Sequence, residues 1–355
     1  MQKQMILYVY DASFSMVGII ELYASLIWSD RYKDCGDFEL ALMYKKEYLD
    51  ILKKDYYCSI DYSDHYSVIE KIEINKEEES PVELVVSGRS IESILERRII
   101  AEKTEFGDEE NEVSLQDSVE TLLNQCIINP SEPKRKIPNF VFKKSTDEAI
   151  TRLTIHESYD GNDLYDAISG MCNDKHIAFK IIVNASKQLE FSLYATRDRS
   201  NDVIFSPFYD NVKSSQYFSS IEDHHNLMVV SKDEYTYITV FTDAEEPSGL
   251  ARREVHEDAS TFKENKQTSL TDDQIIVKAK KALKDEHRIK TGFEADIIPD
   301  VMYTYRKDYN VGDKVKLEDV YGNNEIVYIS EVVITFDENG FSVLPTFEEI
   351  DWTDD

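Results

Sequence analysis

The sequence predicts an α+β protein, mainly β, with a small β-barrel over the first 100 residues, barrel-like strands again near the end, and a middle α+β region. Three observations predict it. Strand-forming tyrosine (22) and phenylalanine (16) are plentiful while glycine is sparse at 11 of 355 residues, which suits pleated, half-buried surfaces. Apolar runs of strand length, broken by polar turns, fill the first 100 residues and return after residue 300. Between them lie stretches of helical periodicity that begin on capping residues. A hydrophobic content of 41% excludes general disorder, and the length allows two or three domains with sizeable cores.

Met5–Tyr10 reads as a short strand and Ile19–Tyr32 as a long one with partial alternation. Residues 33–37 turn the chain into Phe38–Met43. A brief helix over Lys46–Lys53 precedes strands at Tyr56–Asp61, Ser67–Asn75 and Val82–Val86, with Glu77–Pro81 as a polar turn. Ser87-Gly88 reads as a glycine turn that ends that last strand. Ser90 can then cap a short helix, with Glu92 in its positive first turn and Arg97 and Arg98 near its negative end. Ile91, Ile94, Leu95 and Ile99 form one apolar stripe, so the segment is a plug fit to close the mouth of a barrel.

The texture then changes. Glu102–Glu112 is an acidic loop, and Ser114–Ile128 a helix with Leu115, Val119, Leu122, Leu123 and Cys126 on one side and a capping-box-like start at Ser114 and Asp117. Three prolines make Asn129–Pro138 an extended linker. A helix over Asn162–Lys175 leads into strands His176–Asn184 and Gln188–Thr196, a helix packed on a hairpin. Three strands follow at Gln216–Glu222, Asn226–Ser231 and Thr236–Thr242, then a polar loop over Asp243–Lys266. Thr271 and Gln274 open a helix running to about Arg288, with Ile275, Ile276, Ala279, Ala282 and Leu283 on one face. The tail returns to strands at Val301–Tyr305, Lys314–Asp319, Ile326–Phe336 and Phe341–Phe347, with an Asn-Gly hairpin tip inside Asp337–Gly340. No repeat of fixed period is present.

Patterns that carry chemistry are missing. His224 and His225 are neighbours on an expected strand and so point to opposite faces, while His156, His176 and His256 lack a partner three or four residues away. Asp160 and Asp163 bracket an oxygen-rich loop, but Asn162 or Asp163 as the cap of the next helix explains it without calcium. Lys134-Arg135-Lys136 reads as a solvated or subunit-contacting linker. Nothing selects a pair of carboxylates for sugar hydrolysis, and nucleophile elbows, phosphate loops and zinc-peptidase helices are absent. No catalytic, cofactor-binding or metal residue is assigned, no cofactor is expected, and the protein is read as not an enzyme. Cys35, Cys58, Cys126 and Cys172 are widely spaced and read as reduced thiols of a protein made in the cytosol. No run approaches the roughly 20 apolar residues of a membrane helix, and the start lacks the apolar core of a secretory signal. Seventy acids against 40 bases give a net charge of −30, the wrong sign for a free duplex-binding protein.

Ser87-Gly-Arg-Ser-Ile-Glu-Ser-Ile-Leu-Glu-Arg-Arg98 resembles the Ser-Gly-Arg-Ser-Leu-x-x-Leu-Leu-x-x-Arg segment of phage tail hub proteins, which stand at the distal tip where the tail tube ends. Ile20–Tyr32 with Gly36–Leu42 is similar to the family's opening hairpin, and Asp308–Lys316 with Glu325–Val332 to its closing strands. The resemblance, to hubs of siphophage type related to those of contractile tails, implies a homotrimeric ring. Each subunit would carry two tube-like β-barrels, so that three copies present quasi-sixfold symmetry to a hexameric tube or distal tail ring. It also implies a fold or assembly role for Arg97 and Arg98. Mapped here, the first barrel is 1–100, the second 216–244 with 300–350, and the middle region 101–215 with 245–299; 351–355 is a tail. The implied partners are further copies of the chain, the tail tube or distal tail protein, a spike or tip protein and the tape-measure protein, with no membrane and no specific nucleic-acid binding. The implied location is the virion tail tip or baseplate, or a phage-like particle, after synthesis in the bacterial host cytoplasm. DNA passing such a ring would favour an acidic lumen; a solubility surface explains the charge equally. Two other readings stay open: a tail-associated cell-wall hydrolase, for which the chain leaves no room after its closing strands, and a carbohydrate-binding module using its aromatic loops.

Overall fold

A computed structural model of the chain describes residues 5–78, 81–108, 111–232, 235–262, 270–285, 287, 289–298 and 301–350. It is mainly β with several sheets and short helices, as expected. It divides into two compact units, one built on residues 1–213 and 296–352, the other on 214–295.

The first unit is organised by an eleven-stranded sheet. The chain's first seven strands belong to it: β1 (Leu7–Tyr10), β2 (Met16–Ile20), β3 (Ser25–Arg31), β4 (Asp37–Met43), β5 (Tyr57–Ile60), β6 (Ser67–Asn75) and β7 (Glu83–Ser90). They lie in the order β3-β4-β7-β6-β5-β1-β2. Alternation explains their faces: Phe38, Leu40 and Leu42 of β4 and Leu84 and Val86 of β7 are buried, whereas Glu39 and Glu83 face out. Trp28 of β3 packs on Phe38 with ring centroids 5.7 Å apart. Each aromatic side chain buried in this way contributes on the order of 2–3 kcal/mol.

Two expectations change here. Ile19–Tyr32 is not one strand: it breaks at residues 21–24 because β2 serves β1 and β3 serves β4. Nor does the chain turn at Ser87-Gly88, since β7 runs on to Ser90. Gly88 lies opposite Ile69, where β6 bulges, and a Cβ there would sit 1.8 Å from the Val68 carbonyl oxygen. The glycine therefore permits close approach of two backbones, not a reversal.

The tail joins the same sheet. Strand Asn324–Asp337 is long enough to pair along one edge with Lys314–Glu318 and then with β3, and along its other edge with Gly340–Glu349. The last two strands form a hairpin whose two-residue loop is Glu338-Asn339, with Gly340 already in the strand at φ 105°. The chain's two β-rich ends are thus one hydrogen-bonded system. Grouping 216–244 with 300–350 does not match this pairing, because 216–244 falls in the other compact unit and shares no sheet with the tail strands. Val301–Tyr305 is irregular instead of a strand, and the strand lies earlier, at Lys290–Ile297, paired with Val212–Ser220.

Beside the large sheet, Phe140–Lys143, Leu189–Ala195 and Ile177–Val183 form a three-stranded sheet. Helices Leu115–Leu123 and Leu164–Asp174 pack their apolar stripes into its core, with Leu122, Ile168 and Phe191 fully buried. Both caps are as expected: Ser114 Oγ accepts from the Asp117 amide at 3.3 Å and Asp163 Oδ1 from the Tyr165 amide at 2.8 Å. The plug segment feeds this core. Ile91–Arg97 is a 3-10 helix, so Ile91, Ile94 and Leu95 bury themselves among the middle-region residues and Ile99 is left exposed. Ser90 does not cap it; its hydroxyl accepts from the Gly36 amide at 3.1 Å.

The second unit holds a sheet in the order Tyr237–Phe241, Leu227–Ser231, Glu254–Asp258, the last strand parallel to the middle one. That strand lies inside the stretch expected to be a loop; its charged, half-exposed pattern hid it. Helix Asp272–Asp285 covers the sheet with Ile275, Ala279 and Leu283 against Met228, Val230 and Val240. Thr271 and Gln274 form a reciprocal capping box, with bonds of 3.0 and 3.3 Å.

Candidate functional site

The residues that the sequence singles out are mostly dispersed. His156 and His256 are exposed, and His176 occupies a left-handed turn where its carbonyl accepts the Tyr32 hydroxyl at 3.0 Å. Asp163 caps its helix, and the Asp160 amide donates to Asn162 Oδ1 at 2.9 Å. His224 and His225 precede their strand instead of lying on it, and both meet His287. His224 Nδ1 is 2.9 Å from the His287 carbonyl, and His225 Nδ1 is 3.2 Å from His287 Nδ1. Their separation in sequence hid that meeting. Among the described residues, no group of three or more His, Cys, Asp or Glu side chains stands where it could hold a metal ion.

The basic residues serve the fold. Arg97 pairs with Asp55 at 2.8 Å; Arg98 donates to the Arg135 carbonyl at 2.8 Å, and Arg135 returns a bond to the Ile99 carbonyl. The Lys134-Arg135-Lys136 triplet is thereby anchored to its own chain by its middle member, while the two lysines are exposed.

A second group, silent in the sequence, is more densely connected. Asp30 at the end of β3 is almost fully buried and accepts from Trp28 Nε1 at 2.9 Å, Ser63 Oγ at 2.7 Å and the Tyr305 hydroxyl at 2.7 Å. His65 lies beside it, its amide donating to Ser63 Oγ and its Nδ1 3.5 Å from Glu92 Oε1. That same oxygen accepts from the Ile181 amide at 2.7 Å. Burial works to lower the His65 pKa, but Asp30 and Glu92 outweigh it and push the ring up to about 9. Burial likewise works to raise Glu92, yet the His65 hydrogen bond and charge, with the Ile181 amide, hold its carboxyl below the usual range. Five segments meet at this cation between two carboxylates.

Its geometry does not make a nucleophile. Ser63 Oγ donates its hydrogen bond to the Asp30 carboxylate and accepts from the His65 amide, so the His65 ring does not stand as its base, and that ring is mostly covered. What the arrangement does is tie β3, the 61–66 loop, the plug, the middle sheet and the tail turn into one body.

The exposed features lie elsewhere. The path of strands through the large sheet ends at β2, where Met16 (54% exposed), Val17 (37%) and Ile19 (50%) face outward. Among the described residues no further strand pairs with β2, and an edge of this kind carrying apolar side chains is a template for pairing with another chain.

This large sheet with a tail woven into its first strands has relatives. A family model described as the siphovirus ReqiPepy6 Gp37-like protein matches residues 6–347. The chain belongs to this family. A comparison with curated protein sequences gives no match. Among solved structures, the 43 kDa tail protein of prophage MuSo2 from Shewanella oneidensis is similar, with a TM-score of 0.62 and 13% identity over 98% of both chains. A tail protein from Neisseria meningitidis MC58 gives 0.59 at 11% identity, covering 99% of this chain and 98% of that one. A chain of the Francisella PdpA-VgrG complex, lidded, gives 0.54 at 11% identity, covering 98% of this chain and 55% of that one. At these identities the likeness is one of fold. Membership of this siphovirus family, and a fold shared with two tail proteins, agree with the resemblance carried by the Ser87–Arg98 segment.

Proposed function

We propose that the chain is the structural hub of a phage tail tip, or of a phage-derived contractile particle. Three copies form a ring that joins a hexameric tube or distal tail ring to the spike or tip protein. The carrying observation is the eleven-stranded sheet whose strand path ends on the exposed apolar edge β2. An edge of this kind is satisfied by a neighbouring chain, and a closed ring of identical copies leaves none unpaired. Two β-rich ends per subunit, shared by one long strand, suit three copies facing a sixfold partner. The role is structural: the buried Asp30, Ser63, His65 and Glu92 group is committed to holding segments together. The PdpA-VgrG likeness supports a spike or tip protein as one neighbour; the tape-measure protein is the other expected occupant of the axis.

Copy number tests it. Native mass determination of reconstituted particles, with a map locating the chain, should give three copies at the tube end; one or six would overturn the trimer. Val17→Lys with Ile19→Lys should leave the subunit folded and abolish ring formation, because both side chains are exposed in the subunit. Normal assembly by that variant would remove β2 from the interface.

A further inference from the structure

The surplus charge of the molecule is negative, yet one cleft in the first unit gathers cations. It has a volume of about 340 Å³ and is walled by Lys180, Arg197 and Arg306 together with Tyr194 and Tyr305. The acids in its wall are engaged. Asp64 pairs with Arg306, and Asp313 with Arg199 at 3.1 Å and with the Asn310 amide at 2.9 Å. His65, also in the wall, is held by Asp30 and Glu92. That leaves Lys180 and Arg197 without a carboxylate at ion-pair distance among the described residues.

Lys180 is half-buried, its ammonium 5.8 Å from the centre of the Tyr194 ring. Burial lowers its pKa; Glu92 opposes this, and the cations of Lys143 and Arg197 add to it. A partly desolvated ammonium beside an unpaired guanidinium is a site short of negative charge.

We propose that this cleft binds an acidic peptide segment of a partner protein, with carboxylates seated on Lys180 and Arg197 and the stem of the peptide against Tyr194 and Tyr305. Arg197 offers a fork for a carboxylate and Lys180 a point charge beside it. Two free cations in a pocket of this size match one or two acidic side chains. A nucleic-acid strand needs a longer basic track, which a chain of net charge −30 does not favour. On the hub reading the natural source is a neighbouring copy, itself rich in acids, for which the cleft would offset part of the repulsion between subunits; only the source rests on that reading.

The test uses the full chain as an isolated subunit and a fluorescent oligoglutamate followed by anisotropy at low salt. Wild type should bind saturably and lose affinity as salt rises, and Lys180→Met with Arg197→Gln should weaken binding by about tenfold or more. Lys71→Gln with Lys103→Gln, two exposed lysines already paired with acids, should leave it unchanged. Should the double cleft variant fail to fold, Arg197→Glu alone, at an exposed position, reads the same loss. No binding by wild type, an equal loss in the control pair, or an oligothymidylate of equal charge competing as well as the peptide would overturn the proposal. Copy number in assembled particles is a separate measurement, so the hub reading can fail while the cleft stands, and the reverse.

Discussion

His65 is the residue on which the first unit's polar interior turns, and its pH dependence is the sharpest test of that. An ordinary histidine titrates near 6.5; in the fold the ring is held up at about 9 by Asp30 and Glu92 despite burial. A folded-state pKa raised above the unfolded one adds stability that is fully present below about 6.5 and is lost as pH rises through about 9. Urea unfolding at pH 6 and pH 9.5 should therefore show wild type losing stability over that interval relative to His65→Gln; an equal gap at both pH values means the folded ring titrates where the unfolded one does, and a gap that moves in wild type's favour means the ring is neutral in the fold. Glu92→Gln strips the buried cation of one partner and should cost about 3–5 kcal/mol. The half-exposed Glu70, paired with Arg89 at 2.9 Å, should cost under about 1 kcal/mol on the same change. None of this was legible beforehand. His65 has no partner at helical spacing, and Asp30, Glu92 and Tyr305 come from positions far apart in the chain. Sequence patterns report neighbours along the chain, whereas this group is assembled by tertiary packing.

At the scale of elements, legibility followed the strength of local signals. β6 at Ser67–Asn75 and the caps at Ser114, Asp163 and Thr271 were all readable, because alternation and capping chemistry are local. Glu254–Asp258 was not, since a charged strand owes its existence to a parallel neighbour. Gly88 was misread for a related reason: a turn glycine and a close-approach glycine look alike until the opposite strand is known. The two roles differ in energy. Gly88→Ala puts a methyl into the Val68 carbonyl and should cost more than about 3 kcal/mol, as overpacking against immovable backbone does. Gly170, on the exposed face of helix Leu164–Asp174 with nothing within 4 Å of a new Cβ, should gain about 0.5–1 kcal/mol on the same change. Thermal melts of the two variants should move in opposite directions; a mild loss at Gly88 would mean that β6 can shift away from it.

For the whole molecule, the unexplained quantity is the charge of −30. A solubility surface would spread the acids over the outer face, whereas a ring enclosing a DNA path would concentrate them on its inner wall. Phosphate sliding past carboxylates releases no counterions and finds no place to bind, and screening over about 8–10 Å at physiological salt confines the effect to the wall itself. The acidic stretches suited to this, Glu102–Glu112 and Asp243–Asp258, each contain a paired strand: Thr104–Phe106 pairs with Glu157–Tyr159, and Glu254–Asp258 joins the second unit's sheet, with Glu105, Glu254 and Asp258 exposed. Fixed backbone would let such side chains line a wall reproducibly. In a map of the assembled ring, Glu105 or the Glu254–Asp258 strand should face the lumen, and the lumen should be net negative. Replacing those lumen-facing acids with lysine should then leave ring assembly intact and slow DNA release from particles. Acids pointing outward around a neutral or basic lumen would leave solubility as the whole explanation of the charge.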